Sequence, residues 1–365
     1  MRKILSLILI VLICGALVLP LVACNKECMQ HFDGNDDAIC DECGETIEIK
    51  TPVVDDGGET DDDDNGADVG EEEPEVVVPK AEYTREVKDG VTYIYYGTLP
   101  QTAVSADLQN ALANLIKSGQ LVANESGTYT YGGVEYACLY GKEETAGRLL
   151  SNGCIIQNGE PYFFNIEKIK WRLLEEKDGR GLLLAENIIG EYCFNPLGSY
   201  SNSLGSLLGT PNNANDYSAS ALRKYINEEL YPTLFTLREK QSVCDTTVLL
   251  RPGESAFMAT QGMYVSAVDK MFVPSYWEIN DKYNLKVDDD KVMAVEVKDY
   301  QVASGFVVNA IGERYYSSWW LRTSGKHVNQ GNIVNYNGVI GTATECSINL
   351  CDTMGIRPCI TIRTA

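Results

Sequence analysis

Three turn signals constrain the middle of this chain most: Gly132-Gly133, Asn158-Gly159 and Asp178-Gly179, each set between runs rich in β-branched, apolar or aromatic residues. Short connections of this kind use positive φ at the turn, which Gly, Asn and Asp accept, and their twist suits antiparallel strands. Tyr-rich arms flank the first turn. Cys154-Ile155-Ile156 and Tyr162-Phe163-Phe164 flank the second, and Ile169–Leu174 and Leu182–Ala185 flank the third. A series of hairpins is the expectation.

Strands are also expected at Val91–Tyr96, Val292–Val297, Ile333–Tyr336 with a turn at Asn337-Gly338, and Ile360–Ile362. Helical periodicity appears twice. Leu108, Leu112, Leu115 and Ile116 share one face after Ser105, with Gly119 as a stop, and Leu222, Tyr225, Ile226 and Leu230 follow a cap at Ser218 or Ser220. Two main helices among many hairpins predict an α+β fold with antiparallel sheet. No Gly-rich phosphate loop opens either helix, so a doubly wound nucleotide binder is not expected.

The start of the chain is an address. Met1-Arg2-Lys3 is positive, Ile4 to Ala23 is almost continuously apolar, and Leu21-Val22-Ala23-Cys24 resembles a bacterial lipobox. Residues 1–23 are then a lipoprotein signal peptide and Cys24 the lipidated first residue of the mature protein. The competing reading is an uncleaved anchor helix. Either places the rest of the chain on the extracytoplasmic face of the cell membrane, held there by acyl chains or by the helix itself.

Residues 24–44 form a Cys/His mini-module. Cys28, His31, Cys40 and Cys43 follow the spacing C-x2-H-x8-C-x2-C, two close pairs that fit a tetrahedral zinc site. Disulfides or free thiols compete with that reading. Asp33, Asn35 and Asp37 mimic the opening of a calcium loop, but Ala38 and Gly44 stand where its glycine and bidentate glutamate belong. The run also resembles a short Cys-His-Asp-Cys-Cys-Gly module found near the start of surface proteins of anaerobic bacteria.

Residues 45–80 carry Asp61–Asp64, Glu71–Glu73 and no aromatic residue, a composition that favours a disordered acidic linker acting as a spacer. Charge is unevenly placed. Residues 1–80 hold 5 Lys/Arg against 20 Asp/Glu, out of a net charge of −22 for the 365-residue chain, so the body from residue 81 is only mildly acidic. That balance argues against nucleic acid as a partner. His31 and His327 are the only histidines, which excludes multi-histidine metal centres.

Four motifs in the body carry a resemblance. They are Tyr96-Gly97-Thr98-Leu99-Pro100-Gln101, Ile169-Lys170-Trp171-Arg172-Leu173-Leu174-Glu175, Ser220-Ala221-Leu222-Arg223-Lys224-Tyr225-Ile226-Asn227, and Trp319-Trp320-Leu321-Arg322-Thr323 followed later by Gly355-Ile356-Arg357-Pro358. Over roughly residues 90–363 these resemble the bacterial surface family called domain of unknown function 6273. The resemblance implies a C-type-lectin-like domain over residues 81–365, with 81–165 a candidate N-terminal subdomain, distantly similar to formylglycine-generating enzymes. It brings no enzymatic activity.

Trp171, Trp319, Leu321 and Arg357 are expected to anchor the fold, and Arg322 and Arg357 to pair with carboxylates such as Glu278 or Asp352. Trp320, Arg322, His327, Asn329, Asn332, Asn335 and Tyr336 are the candidate ligand-binding residues, because amides pair with hydroxyls as donor and acceptor and aromatic faces stack on sugars. A plain polar hairpin is the alternative. The polar tract Ser199–Tyr217 is expected to be a long surface loop flanking the same region. The function expected is a surface lipoprotein presenting a lectin-like binding domain for a glycan, peptide or envelope ligand. The alternative is a thiol- or copper-dependent oxidase using Cys346 and Cys351, two of seven body cysteines with Cys138, Cys154, Cys193, Cys244 and Cys359.

Overall fold

Positive φ at both turn residues closes three hairpins: Asp89-Gly90 (53° and 79°), Gly132-Gly133 (59° and 79°) and Asp178-Gly179 (50° and 69°). They join strands β1 (Thr84–Lys88) to β2 (Val91–Ala103), β3 (Tyr129–Tyr131) to β4 (Val134–Tyr140), and β5 (Pro161–Lys177) to β6 (Arg180–Ala185). The computed structural model describes residues 81–201, 206–208, 214–249, 266–285, 293–325, 327–340 and 347–364. Residues 1–80, read from the sequence as a lipoprotein signal, a Cys/His module and an acidic linker, lie outside these residues.

β5 is the spine of an eight-stranded antiparallel sheet. β2 pairs along one edge, while β4 and β6 share the other, β4 at Pro161–Asn165 and β6 at Trp171–Lys177. Beyond β6 the closing strand Cys359–Arg363 pairs in antiparallel register, Ile360 opposite Leu183, and Met271–Phe272 follows it. Trp171 is wholly buried in the middle of β5, and its Nε1 donates to the Tyr96 carbonyl at 2.8 Å, so its one polar group is satisfied.

A second sheet of five strands runs Ser347–Asn349, Gln330–Val334, Trp319–Ser324, Thr353–Ile356 and β7 (Gly190–Cys193). Its pairings are antiparallel except one, where Trp319 lies opposite Gly355 in parallel register. Gly355 is required there because a Cβ would sit 2.9 Å from Ile188 Cγ2 and 3.0 Å from the Ser318 carbonyl. Smaller sheets of two or three strands complete the described β-structure.

Helix α1 (Ala106–Lys117) is capped by Ser105 and ends before Gly119, whose φ is 70°. The second helical pattern is interrupted. Ser220 caps Ala221–Lys224, Tyr225–Leu230 widens to π geometry, and Tyr231–Leu234 resumes as α-helix across Pro232. Leu222, Ile226 and Leu230 are nevertheless buried together, as the period requires.

The α+β assignment, a C-type-lectin-like domain with two main helices, is corrected by this architecture. The described chain is mostly β, with several sheets and short helices. The helical faces exist, but only α1 continues unbroken for three turns, whereas hairpin strands absorb most of the apolar alternation. One expected hairpin is also re-paired. Ile155 bridges Leu149 rather than pairing with Tyr162–Phe164, which instead face Leu139, Cys138 and Ala137 of β4. Among the described residues no helix is long and apolar enough to cross a membrane.

Candidate functional site

The strand Trp319–Ser324 is buried at every position, so it supplies support rather than a binding edge. Trp320 is 0% exposed, its Nε1 donates to the Tyr192 carbonyl at 2.8 Å, and its ring meets Phe194 edge-on. Gly331 makes room for it, since a Cβ there would stand 2.7 Å from the indole. Arg322 is 3% exposed and grips Glu278 with two nitrogens, at 2.6 and 2.5 Å, while donating to the carbonyls of Leu249 and Val273. The expectation that Trp320 and Arg322 are ligand-binding residues is therefore corrected: both are in the core. The pairing expected for Arg322 is present.

Trp319, Leu321 and Arg357 anchor as expected. Arg357 lies over the Trp319 ring at 5.1 Å, donates to the Ala185 carbonyl at 2.7 Å and stands 3.5 Å from Glu186, ionic partners that keep a buried guanidinium tolerable. Burial pushes its pKa down to about 10, with Glu186 opposing.

The remaining candidates divide by depth. His327 is exposed, and Asn329, Asn335 and Tyr336 are half-buried, while Asn332 is 1% exposed. The Asn332 Oδ1 accepts from the Ile333 amide, and its Nδ2 has no partner among the described residues. Asn335 Oδ1 accepts from Ser318 Oγ at 3.1 Å and from the Tyr336 amide, which ties the Asn337-Gly338 turn to the core strand. His327, Asn329 and Tyr336 are thus the candidates with side chains open to a ligand.

Two residues outside every sequence motif organise this surface. Asn215 Nδ2 donates to the carbonyls of His327 (3.1 Å) and Gln330 (3.2 Å), and the Asn215 carbonyl accepts from Ser324 Oγ. Asn195 Nδ2 donates to the Ala214 carbonyl at 2.5 Å, and its Oδ1 accepts from the Ala221 amide that opens the second helix. The end of the Ser199–Tyr217 tract is therefore stitched to the 327–330 turn on one side and to the helix start on the other. Neither asparagine belongs to a periodic pattern; Asn215 falls in the Ser199–Tyr217 tract expected to flank this region, and the sequence carries no signal for Asn195.

Beside Asn195 opens a cleft of about 490 Å³, lined among others by Ser199, Leu208, Ser218, Arg223 and Lys224. Arg223 is aimed by three bonds, to Asp269 Oδ1 (2.7 Å), the Ser218 carbonyl (3.0 Å) and the Val268 carbonyl (3.2 Å). Burial pushes the Asp269 carboxyl up despite Arg223, and does the same to Asp216, whose Oδ1 accepts from the Ser218 amide and hydroxyl. Hydroxyls, amides, a fixed guanidinium and an exposed lysine suit reversible recognition of a polar ligand.

Among the described residues no group of three or more His, Cys, Asp or Glu could hold a metal ion. Cys24, Cys28, His31, Cys40, Cys43 and Cys346 lie outside the described residues. No curated protein and no solved structure matches the chain. A family model described as a domain of unknown function matches residues 178–364, from the β5–β6 turn through the interrupted helix and the Trp319–Ser324 and Gly355–Pro358 segments to the closing strand, and the chain belongs to that family, domain of unknown function 6273.

Proposed function

We propose that this chain is a lipid-anchored protein of the extracytoplasmic membrane face whose β-rich body binds a hydroxyl- or amide-bearing ligand of the cell envelope, a glycan or a peptide. The observation that carries the reading is the double clamp of Asn195 and Asn215, which ties the 327–330 turn and the end of the Ser199–Tyr217 tract to the Asn195 edge of the cleft. The charge of the chain disfavours nucleic acid as that ligand. The lipobox at Leu21–Cys24 supplies the anchor and the acidic linker the standoff.

The test is a glycan and envelope-fraction binding screen with the full chain, followed by His327→Ala, Asn329→Ala and Tyr336→Ala. Each variant is expected to melt near wild type and to weaken any hit by about 1–3 kcal/mol per lost hydrogen bond or stacking contact. A hit that binds a triple variant unchanged removes this surface as the site.

A further inference from the structure

In the cleft beside the interrupted helix, the neutral donors are already engaged inside the protein. The Ala221 amide donates to Asn195 Oδ1 (2.9 Å), the Leu222 amide to the Phe194 carbonyl (3.0 Å) and the Arg223 amide to Ser220 Oγ (3.1 Å). The hydroxyls of Ser199, Ser218 and Ser220 donate to the Pro196 carbonyl, Asp216 Oδ1 and the Tyr217 carbonyl. Asn227 is saturated: its Nδ2 donates to the carbonyls of Arg223 and Met271, and its Oδ1 accepts from the amides of Lys270 and Met271. A neutral polyol needs donors as well as acceptors, and this lining offers it mostly acceptors.

What the lining leaves open is charge. A guanidinium has five N–H donors. Arg223 uses three of them, toward Asp269 Oδ1 and the carbonyls of Ser218 and Val268, so two remain on a side chain that is 31% exposed. Lys224 and Glu228 line the cleft one turn apart, 3.8 Å from each other, with side chains 70% and 63% exposed. An ion pair so long and so exposed is weak, and either charge can change partner. Asp269 behind Arg223 and Glu228 beside Lys224 balance the two cations, so a simple anion or a simple cation gains little here. A zwitterion finds a partner for each end. Glu228 also lies in the π-helical stretch Tyr225–Leu230, a rare geometry that gathers at functional sites.

We propose that the cleft binds a short peptide with both termini free, its carboxylate held by Arg223 and Lys224 and its ammonium by Glu228. The hydroxyl oxygens of Ser199 and Ser218 keep lone pairs for the N–H of the peptide bond. The cleft volume of about 490 Å³ falls among small-molecule sites, which run from about 300 to 1,000 Å³. This rests on the surface being a ligand site, and within that reading the open charges select a peptide over a glycan.

The experiment titrates the full chain calorimetrically with a panel of dipeptides, each as the free zwitterion, the N-acetyl form, the C-terminal amide and the form blocked at both ends. The free zwitterion is expected to bind, and blocking either end to weaken it about tenfold, the loss of a charge-assisted contact. Glu228→Gln should weaken the forms with a free amine and leave the N-acetyl form unchanged. Lys224→Ala should weaken the forms with a free carboxylate and leave the amide unchanged. Both side chains are exposed, and melts check that the variants fold. Equal binding of the doubly blocked form, or a cleft that takes a neutral oligosaccharide and no free dipeptide, overturns the proposal. An envelope hit that ignores both variants but is lost in the His327, Asn329 and Tyr336 triple variant overturns it too, while leaving the binding function in place.

Discussion

Asn215 holds the carbonyl of His327 at 3.1 Å across 112 residues of sequence, through a side chain buried completely within the body. That one amide decides whether the 327–330 turn keeps its shape. Asn215→Ala removes one of the two donors that each of the His327 and Gln330 carbonyls has, the other being a backbone amide, and the loss of two hydrogen bonds from a buried side chain should cost about 1–3 kcal/mol. Asn215→Asp preserves the size but replaces the donor with an acceptor, so it should be at least as costly. Thermal melts check the stability. Ligand affinity should fall in both variants if the turn is part of the site, and unchanged affinity would detach the turn from binding.

Arg322 and Glu278 form a buried pair, with side chains 4% and 17% exposed. Removing one partner strands a charge, so Arg322→Met should destabilise by about 3–5 kcal/mol. The double variant Arg322→Met with Glu278→Leu should recover much of that loss, because two apolar side chains need no counter-ion. Denaturant unfolding of the two singles and the double measures the coupling directly. Purely additive losses would show that the two side chains act through other neighbours.

Asp269 gives a pH signature of defined sign. Its folded pKa is raised by burial, with Arg223 opposing, so in the window from 3.8 up to the raised value the folded state binds more protons than the unfolded state. Its contribution to stability therefore falls as pH rises through that window and is level above it. Carboxylates such as Glu175 and Glu239 are shifted the other way, so the test is a difference. The stability of wild type minus that of Asp269→Asn should decrease with rising pH from about the ordinary carboxylate range. A flat difference would mean that Arg223 cancels the burial.

The N-terminal segment is testable alone. Cys24→Ala should leave unprocessed precursor and abolish acyl labelling, and an intact Met1 terminus on wild-type protein would contradict the lipobox reading. A reduced peptide spanning residues 25–45 should take up one zinc at neutral pH through Cys28, His31, Cys40 and Cys43. Its affinity should fall on acidification as thiolates and imidazole protonate. No uptake would leave the cysteines to disulfides or free thiols.

Local chemistry is legible in the order of the residues. Gly132-Gly133 and Asp178-Gly179 specify their own hairpins because positive φ is a property of the residues in the turn. Ser105 announces α1 because its hydroxyl accepts from the Leu108 amide three residues on, and Leu222, Ile226 and Leu230 share a buried face because of helical period. The family is legible too, since its motifs are short strings in fixed order. What the sequence does not determine is which side of a strand meets which neighbour. Trp320 and Arg322 look like recognition residues until the strand Trp319–Ser324 is enclosed on both faces, and Cys154–Ile156 looks like a hairpin arm until β4 claims its partner. The roles of Asn195 and Asn215 depend on contacts between segments tens to more than a hundred residues apart. Such contacts form only when hydrophobic burial has offset the entropy of closing the loops between them, and no local pattern encodes that outcome.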